Sequence, residues 1–252
     1  MSNVKNRKYF GIFLRGMGMG AADVVPGVSG GTIAFITGIY EELIRSLAGI
    51  NFSLLKKLRK EGVKSFWIQL NGNFFVALFL GIAVSVFSLA KLLSYLLEKA
   101  PVLLWSFFFG LVLASGIIIL KSIKKWQIAQ LVGLLIGTLA AAYISTLQVT
   151  ASGGELGYIF LSGMIAICAM ILPGISGAFI LVLLGSYHAV LGGIKEFNLI
   201  IIALFGLGCV IGLLAFSKLL KYLFHHFKNF VLALLSGFLF GSLFKIWHNV
   251  CV

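Results

Sequence analysis

The sequence predicts an all-α polytopic membrane protein, with its 252 residues forming a single integral membrane domain. The composition indicates a membrane environment: 60% of the residues are hydrophobic and 11% are charged, against about 25% charged residues in soluble domains. A Pro-Gly-x-Ser-Gly motif interrupts an apolar segment twice, at residues 26–30 and 173–177. We therefore expect two inverted-topology repeats, each a re-entrant helical hairpin plus two transmembrane helices, joined by one extra transmembrane helix.

The first hairpin surrounds the first copy of the motif. Two helices are predicted, at residues 9–24 and 27–44, with Pro26 and Gly27 breaking the chain between them. A helix of roughly 15 residues rises only ~22 Å, which is less than the ~30 Å hydrocarbon core. The hairpin is therefore expected to enter the bilayer, turn at the motif and return. Pro173 and Gly174 are predicted to break the second hairpin in the same way.

Residues 45–71 differ from the rest of the chain because basic and apolar side chains are interleaved there. Leu54, Leu55 and Leu58 fall on one face of a helix. This pattern favours an amphipathic helix on the cytoplasmic surface of the membrane, in contact with anionic lipids. A plain solvated linker is the alternative interpretation.

The remaining apolar segments complete the two repeats. They are spans predicted at residues 73–94, 101–120, 128–146, 199–217 and 229–247, with a second hairpin at residues 157–192. Adding 147 to a residue number carries Pro26 to Pro173, and adding 127 carries Gly81 to Gly208. Repeat 1 is thus expected at about 9–121, a linking helix at about 127–147 and repeat 2 at about 157–248. A single transmembrane helix between two halves of equal helix number reverses the membrane orientation of the second half.

The net charge of +13 is spread between the apolar segments rather than along one stripe. This distribution argues against a nucleic-acid-binding protein and favours a membrane protein with basic cytoplasmic loops. With the N-terminus inside, 16 of the 20 Lys and Arg residues lie in segments 1–15, 45–71, 121–127 and 218–228. The positive-inside rule therefore predicts a cytoplasmic N-terminus and an extracellular C-terminus.

The two copies of the motif are also the predicted ligand site. Backbone N–H groups at a helix N-terminus favour an anion, and glycines let that anion approach the backbone. The residues predicted to bind a phosphate group are Arg15, Ser29, Gly30, Gly31, Thr32, Ser176 and Gly177. The alternative is that these glycines serve close helix packing, as we expect of the pairs Gly16/Gly20, Gly133/Gly137, Gly208/Gly212 and Gly237/Gly241.

Ionisable residues within apolar segments are candidates for function, since a charge at mid-membrane costs at least ~2.5 kcal/mol on insertion scales. Arg15 either contributes its charge to the ligand site or extends to the cytoplasmic interface. Asp23, whose counterpart in the second repeat is Met170, is expected to pair with Arg15 or to carry a coupling proton or cation.

Two repeated tyrosines are each followed by a polar residue, Tyr40 by Glu41 and Tyr187 by His188. The repetition suggests paired gates, so coupling or gating roles are predicted for these four residues as well as for Asp23. For the neighbouring Glu42, a helical ion pair with Arg45 is the simpler interpretation.

The residues favour a transporter over an enzyme. Cys168, Cys209 and Cys251 lack the spacing of a metal site or a disulfide, and no cofactor is expected. An intramembrane phosphatase or protease is disfavoured because there is no His pair at metal spacing and no G-x-S-x-G elbow. A transporter of a small anion or ion with the same architecture is the alternative function. The sequence leaves the oligomeric state open and is compatible with a homodimer.

Two segments resemble the polyprenyl-phosphate transporter (PopT-type) family. They are residues 16–44, GMGMGAADVVPGVSGGTIAFITGIYEELI, and the later LPGISGAF repeat. The resemblance implies a flippase that returns undecaprenyl phosphate from the outer to the inner leaflet of the bacterial plasma membrane, for synthesis of peptidoglycan and other envelope polymers. The polar residues of the family's motifs fall here on Arg15, Asp23, Ser29, Gly30, Thr32, Glu41, Ser176 and Gly177.

Transport of this lipid would move an anion inward. An inside-negative potential opposes that movement by ~2.3 kcal/mol per charge per 100 mV. A proton or sodium gradient is therefore expected to drive it, with Asp23 or Glu41 as the carrier of the coupling ion.

Overall fold

The structure is a computed structural model that describes residues 2–24, 29–147 and 155–251. All regular secondary structure in these ranges is α-helical. The helices are α1 Ser2–Val24, α2 Gly30–Ile36, α3 Tyr40–Ala48, α4 Phe52–Leu70, α5 Gly72–Lys99, α6 Pro101–Ser122, α7 Ile128–Thr146, α8 Leu156–Ile171, α9 Gly177–Leu183, α10 Tyr187–Lys195, α11 Leu199–His226 and α12 Lys228–Cys251.

Five helices in the described ranges, namely α5, α6, α7, α11 and α12, are long and apolar enough to cross a membrane. Each begins within one residue of its predicted start, so the five predicted spans are confirmed as helices. Helices α9 and α10 form a further apolar pair that is bent by 110° at a short break. The protein is therefore a polytopic membrane protein, as predicted.

The two hairpins differ in detail from their prediction. Helix α1 begins at Ser2 rather than at residue 9, and its 23 residues rise about 35 Å. The argument from shortness therefore does not hold for α1. One continuous helix over residues 27–44 is also wrong, because the chain turns between α2 and α3 at Gly38, where φ is +75°. The hydroxyl of Thr37 supports this turn by donating to the carbonyl oxygen of Ile33 at 2.7 Å.

The helix bounds recur at the two spacings read from the sequence. Adding 147 to the bounds of α2 and α3 gives the bounds of α9 and α10, and adding 127 to those of α5 gives those of α11. The turn at Gly38 recurs at Gly185, where φ is +68°. The packing recurs as well, since Gly16 of α1 lies against α5 in the way that Gly163 of α8 lies against α11.

Residues 45–71 form a helix rather than a linker over most of their length. Asn51 caps the start of α4, its Oδ1 accepting from the N–H of Leu54 at 3.0 Å, and Asn71 ends it in the left-handed conformation. Gly62, with φ of +82°, kinks α4 near its middle. Of the predicted apolar face, Leu54 is buried, whereas the side chains of Leu55 and Leu58 lie outside the described part of the structure.

Helix α12 lies at the centre of the bundle. It packs against both α7 and α6, and Leu235, Leu239 and Ile246 on it are fully buried. The glycine pairs predicted as packing seams are confirmed: a Cβ at any of Gly16, Gly20, Gly133, Gly137, Gly208, Gly212, Gly237 or Gly241 would collide with a neighbouring helix. These close approaches hold α1 to α5, α8 to α11 and α7 to α12.

Candidate functional site

The two hairpins contact each other beside their interruptions. The first break lies between Val24 at the end of α1 and Gly30 at the start of α2, and the second break is residues 172–176, between α8 and α9. The hydroxyl of Ser29 donates to the carbonyl oxygen of Met170 at 3.2 Å. The N–H of Gly174 donates to Oγ1 of Thr32 at 3.0 Å. Two predicted ligand residues of the first hairpin, Ser29 and Thr32, are thus held against the second hairpin.

Part of the first break cannot be compared with its prediction. Pro26 and Gly27, the predicted helix-breaking residues, lie outside the described residues. The helix ends before them at Val24, and the next helix begins after them at Gly30. In the second break, Pro173 is buried and Gly174 has a φ of +84°, so the backbone there is not helical.

Oxygen atoms of the protein already occupy the start of α2. The N–H of Gly30 donates to Oδ1 of Asp23 at 2.6 Å, and the N–H of Gly31 donates to Oγ of Ser29 at 3.1 Å. The predicted pairing of Asp23 with Arg15 is wrong, because in the described part of the chain the carboxylate binds this backbone amide instead. A carboxylate at a helix N-terminus is favourable for the same reason that a bound anion would be.

The glycines of the motif also serve close packing. A Cβ on Gly31 would lie 2.7 Å from the carbonyl oxygen of Ile171, and one on Gly177 would lie 2.7 Å from that of Ala166. Any side chain at Gly30 would collide with the Asp23 carboxylate. The packing interpretation of these glycines therefore holds in this structure, and their role in ligand binding stays a prediction.

A small cavity adjoins the second break, and we call it the break cavity. Its lining includes Gly174, Ser176, Ser145, Ser242 and Lys245. Its volume of about 20 Å³ is enough for about one water molecule. A phosphate group could enter only after the walls had moved apart.

Lys245, which lines the break cavity, was not among the predicted site residues. It lies on the apolar helix α12 and is half-buried, with Nζ 2.9 Å from the centroid of the Phe179 ring. No carboxylate lies within ion-pair distance of it in the described ranges. A lysine inside an apolar helix was the available signal. Its counterpart in the first repeat, at 245 minus 127, is Ile118, so the repeat could not reveal it.

Two predicted gating residues of the first hairpin lie in an ion pair (Glu41) and an aromatic cluster (Tyr40), and the neighbouring Glu42 forms a second ion pair. Oε1 of Glu41 lies 2.6 Å from Nζ of Lys228. Glu42 pairs with Lys8 at 3.8 Å and accepts from Nδ2 of Asn71 at 3.2 Å. The predicted pairing of Glu42 with Arg45 is therefore wrong, since Glu42 turns towards α1 and α5.

Tyr40 is buried between two phenylalanines. Its ring centroid lies 5.1 Å from that of Phe35 and 5.8 Å from that of Phe224. Because Phe224 is on α11, this cluster joins the first hairpin to the second half of the protein. No partner for the Tyr40 hydroxyl is present in the described part of the structure.

Three predicted site residues lie apart from the two breaks. Arg15 is exposed on α1. Tyr187 and His188 begin α10, with their ring centroids 5.8 Å apart. In the described part of the structure, none of these three residues contacts Ser29, Thr32 or Gly174.

Comparison with known proteins identifies the family. A family model described as undecaprenyl phosphate translocase-like matches residues 19–250. The chain belongs to this family. The resemblance carried by the two motifs is thereby confirmed, and the match contains both breaks and Lys245, whereas Arg15 precedes it.

Two relatives of the undecaprenyl phosphate translocase-like family resemble the chain over nearly its whole length. A Vibrio cholerae protein named polyprenyl-phosphate transporter is 48% identical over 243 residues, covering 96% of this chain and 79% of the relative. A Staphylococcus aureus protein of the same name is 33% identical over 255 residues, covering 94% of this chain and 86% of the relative. No solved structure matches the chain.

Proposed function

We propose that this protein is a polyprenyl phosphate translocase that moves undecaprenyl phosphate from the outer to the inner leaflet of the bacterial plasma membrane. Recycling of this carrier lipid would supply the synthesis of peptidoglycan and other cell-envelope polymers. Two relatives named polyprenyl-phosphate transporter support the substrate. The observation that carries the proposal is the pair of hydrogen bonds that join the two hairpins beside their breaks, Ser29 to Met170 and Gly174 to Thr32.

The proposed topology is a pair of inverted repeats, with the N-terminus in the cytoplasm and the C-terminus outside. The distribution of Lys and Arg supports this orientation, and the recurring helix bounds support the repeats at about 9–121 and 157–248, with α7 as the linking helix. The first hairpin then enters from the cytoplasm and the second from outside. Re-entrant hairpins that meet at mid-membrane are a usual arrangement for alternating access.

The proposed path of the phosphate group begins at the break cavity. Lys245 supplies a positive charge there, and the hydroxyls of Ser176, Ser29 and Thr32 supply donors along the contact between the breaks. Because the cavity has room for about one water molecule, the hairpins must separate for the phosphate group to pass. The isoprenoid chain stays in the lipid throughout.

Asp23 is the proposed coupling residue. Its carboxylate binds the N–H of Gly30 at 2.6 Å, where a phosphate oxygen arriving at the same amide would meet a like charge. Phosphate binding is therefore favoured when Asp23 accepts a proton or a sodium ion, and this dependence would couple lipid movement to the gradient of that ion. Glu41, which is paired with Lys228, is the second candidate.

Transport in proteoliposomes tests the proposal. Undecaprenyl phosphate supplied to the outer leaflet should reach the inner leaflet with its phosphate intact, faster in the presence of a proton or sodium gradient. Lys245→Gln should slow this transport about tenfold, because a charge-assisted contact is worth ~1.5–3 kcal/mol. Lys195→Gln removes an exposed charge elsewhere and should leave the rate unchanged. Ser29→Ala should also slow transport.

Other outcomes would contradict the proposal. Transport of inorganic phosphate that undecaprenyl phosphate does not compete with would indicate a small-anion transporter. Release of inorganic phosphate from the lipid would indicate a phosphatase. Equal rates for Lys245→Gln and the unmodified protein would remove Lys245 from the path.

A further inference from the structure

A large basic cavity lies where the first hairpin meets the second half of the protein. Helix α3 packs against α11 there, and the cavity between them has a volume of about 650 Å³, within the range of small-molecule sites. We call it the basic cavity. Its ionisable lining residues are Glu41, Arg45, Lys218, Lys221, His225 and His226.

The sequence did not indicate this cavity because residues 218–228 were expected to form a basic loop. In the structure α11 continues to His226. The side chains of Lys218, Lys221 and His225 therefore recur along one side of a helix, at spacings of three and four residues. Arg45 reaches the same cavity from α3, in the other repeat.

The positive charge of the cavity is not neutralised by the protein. Glu41 is its acidic lining residue, and that carboxylate is already paired with Lys228 at 2.6 Å. No carboxylate lies within ion-pair distance of Arg45, Lys218 or Lys221 in the described ranges. Several cations around one space favour a multiply charged anion, and a phosphate ester is such an anion.

The cavity also has apolar lining residues on the same two helices. Ile44, Ala48 and Phe224 line it and are buried among their neighbours. A site lined by both cations and apolar side chains suits an amphiphile with an anionic head. An inorganic anion would use the charges alone.

We propose that the basic cavity binds the phosphomonoester head of a prenyl phosphate in the inner leaflet, with the beginning of its chain against Ile44, Ala48 and Phe224. The inference rests on the proposed function for the orientation of this face towards the cytoplasm. It deepens that function by naming the site from which the lipid leaves. Phe224 also contacts Tyr40, so a ligand in the cavity lies beside the aromatic cluster that joins the hairpin to α11.

Lysine acetylation measured by mass spectrometry tests the inference without relying on transport. The full chain in phosphatidylcholine nanodiscs is treated with N-hydroxysuccinimide acetate, with and without farnesyl phosphate. Acetylation of Lys218 and Lys221 should fall when farnesyl phosphate is bound. Lys124 and Lys125, which are exposed in the loop after α6, serve as internal controls and should react equally in both samples.

Charge-removing variants provide the matched comparison. Farnesyl phosphate should bind the Lys218→Gln/Lys221→Gln variant about tenfold more weakly, because charge-assisted contacts are lost. The Lys124→Gln/Lys125→Gln variant loses the same charge outside the cavity and should bind as the unmodified protein does. Equal weakening in both variants would show general attraction to a basic surface and would overturn the inference.

Further outcomes distinguish a prenyl phosphate from other ligands, and this inference from the proposed function. Inorganic phosphate that protects Lys218 and Lys221 as well as farnesyl phosphate does would overturn the lipid assignment, and so would protection by farnesol. Absence of protection in a protein that transports undecaprenyl phosphate would overturn the inference and leave the proposed function intact. Protection in a protein without transport would support the inference and contradict the proposed function.

Discussion

At the scale of single residues, Asp23 combines an internal hydrogen bond with partial exposure. Its carboxylate accepts from the N–H of Gly30 at 2.6 Å, yet part of the residue is exposed to the surroundings of α1. The same group therefore caps a buried helix and remains within reach of an ion. This combination distinguishes it from Ser29, whose hydroxyl is 1% exposed and makes only internal hydrogen bonds.

The Asp23→Asn variant removes the charge of Asp23 and keeps its ability to cap α2. The amide oxygen of Asn can still accept from the N–H of Gly30, so the fold should be retained. We expect undecaprenyl phosphate transport to proceed at the same rate with and without a proton or sodium gradient, because Asn carries neither ion. Transport is measured in proteoliposomes with each gradient imposed in turn.

Asp23→Ala is the control for capping. It removes both functions and should lower stability by about 0.5–2 kcal/mol, as the loss of a helix cap does. If Asp23→Asn kept its acceleration by an ion gradient, Asp23 would not be the coupling residue, and Glu41 would be the next to test.

At the scale of elements, the second break depends on the backbone of one glycine. Gly174 has a φ of +84°, and a Cβ there would lie 2.8 Å from the carbonyl oxygen of Phe238 on α12. Its N–H also donates to Thr32. The conformation of this residue therefore positions the break against both α12 and α2.

Gly174→Ala should destabilise the protein for two reasons. The left-handed conformation costs a residue with Cβ about 1–2 kcal/mol, and overpacking against Phe238 adds about 1–3 kcal/mol. Gly192→Ala is the matched control, since a Cβ at Gly192 in α10 meets nothing within 4 Å. That control should be neutral or stabilising by about 0.5–1 kcal/mol. Thermal unfolding in detergent measures both, and an equal Tm would contradict the argument.

The helices and turns show which parts of the fold can be predicted from the sequence. Apolar segments and the duplicated motif predicted the five spans and the position of the second break, because hydrophobic length and Pro-Gly pairs are local signals. The turn at Gly38 was missed because Thr37 and Gly38 interrupt an apolar run too briefly to separate two helices. The start of α1 was misplaced because its first residues are polar, and hydropathy does not register a helix there.

At the scale of the whole molecule, the first hairpin is held to the second half of the protein through α3. Glu41 pairs with Lys228 at the start of α12, and Tyr40 contacts Phe224 of α11. No comparable packing joins α10 to α5 in the described part of the chain. The two hairpins are thus in different environments, as expected of one state in an alternating cycle.

Cross-linking α3 to α12 should therefore stop transport. We expect a Glu41→Cys/Lys228→Cys variant, in which Cys168, Cys209 and Cys251 are replaced by Ala, to lose undecaprenyl phosphate transport after treatment with a reducible bis-methanethiosulfonate reagent. Transport should return on reduction, because the hairpin can move again. Each single-Cys variant, treated identically, controls for modification alone. Undiminished transport in the cross-linked protein would show that this hairpin does not move.

The site was less predictable than the fold because it depends on contacts across the whole molecule. Duplication of the motif indicated a shared site, and Thr32 beside the first copy does contact Gly174 in the second. Apart from the position of Lys245 inside an apolar helix, no local pattern connected Lys245 or Lys218 to a ligand, since their neighbours come from other helices. The two wrong ion pairs, Arg15 with Asp23 and Glu42 with Arg45, were chosen by spacing within one helix, whereas the acidic side chains bind partners beyond that helix.

The central position of α12 has a consequence for biogenesis. Gly133, Gly137 and Ala141 of α7 are buried, and the backbone or side chains of α12 lie against them. The ribosome completes α12 only after the other eleven described helices have been synthesised. This face of α7 therefore remains exposed to lipid until α12 has been synthesised. The final packing of the bundle must follow insertion of all the helices and cannot proceed helix by helix.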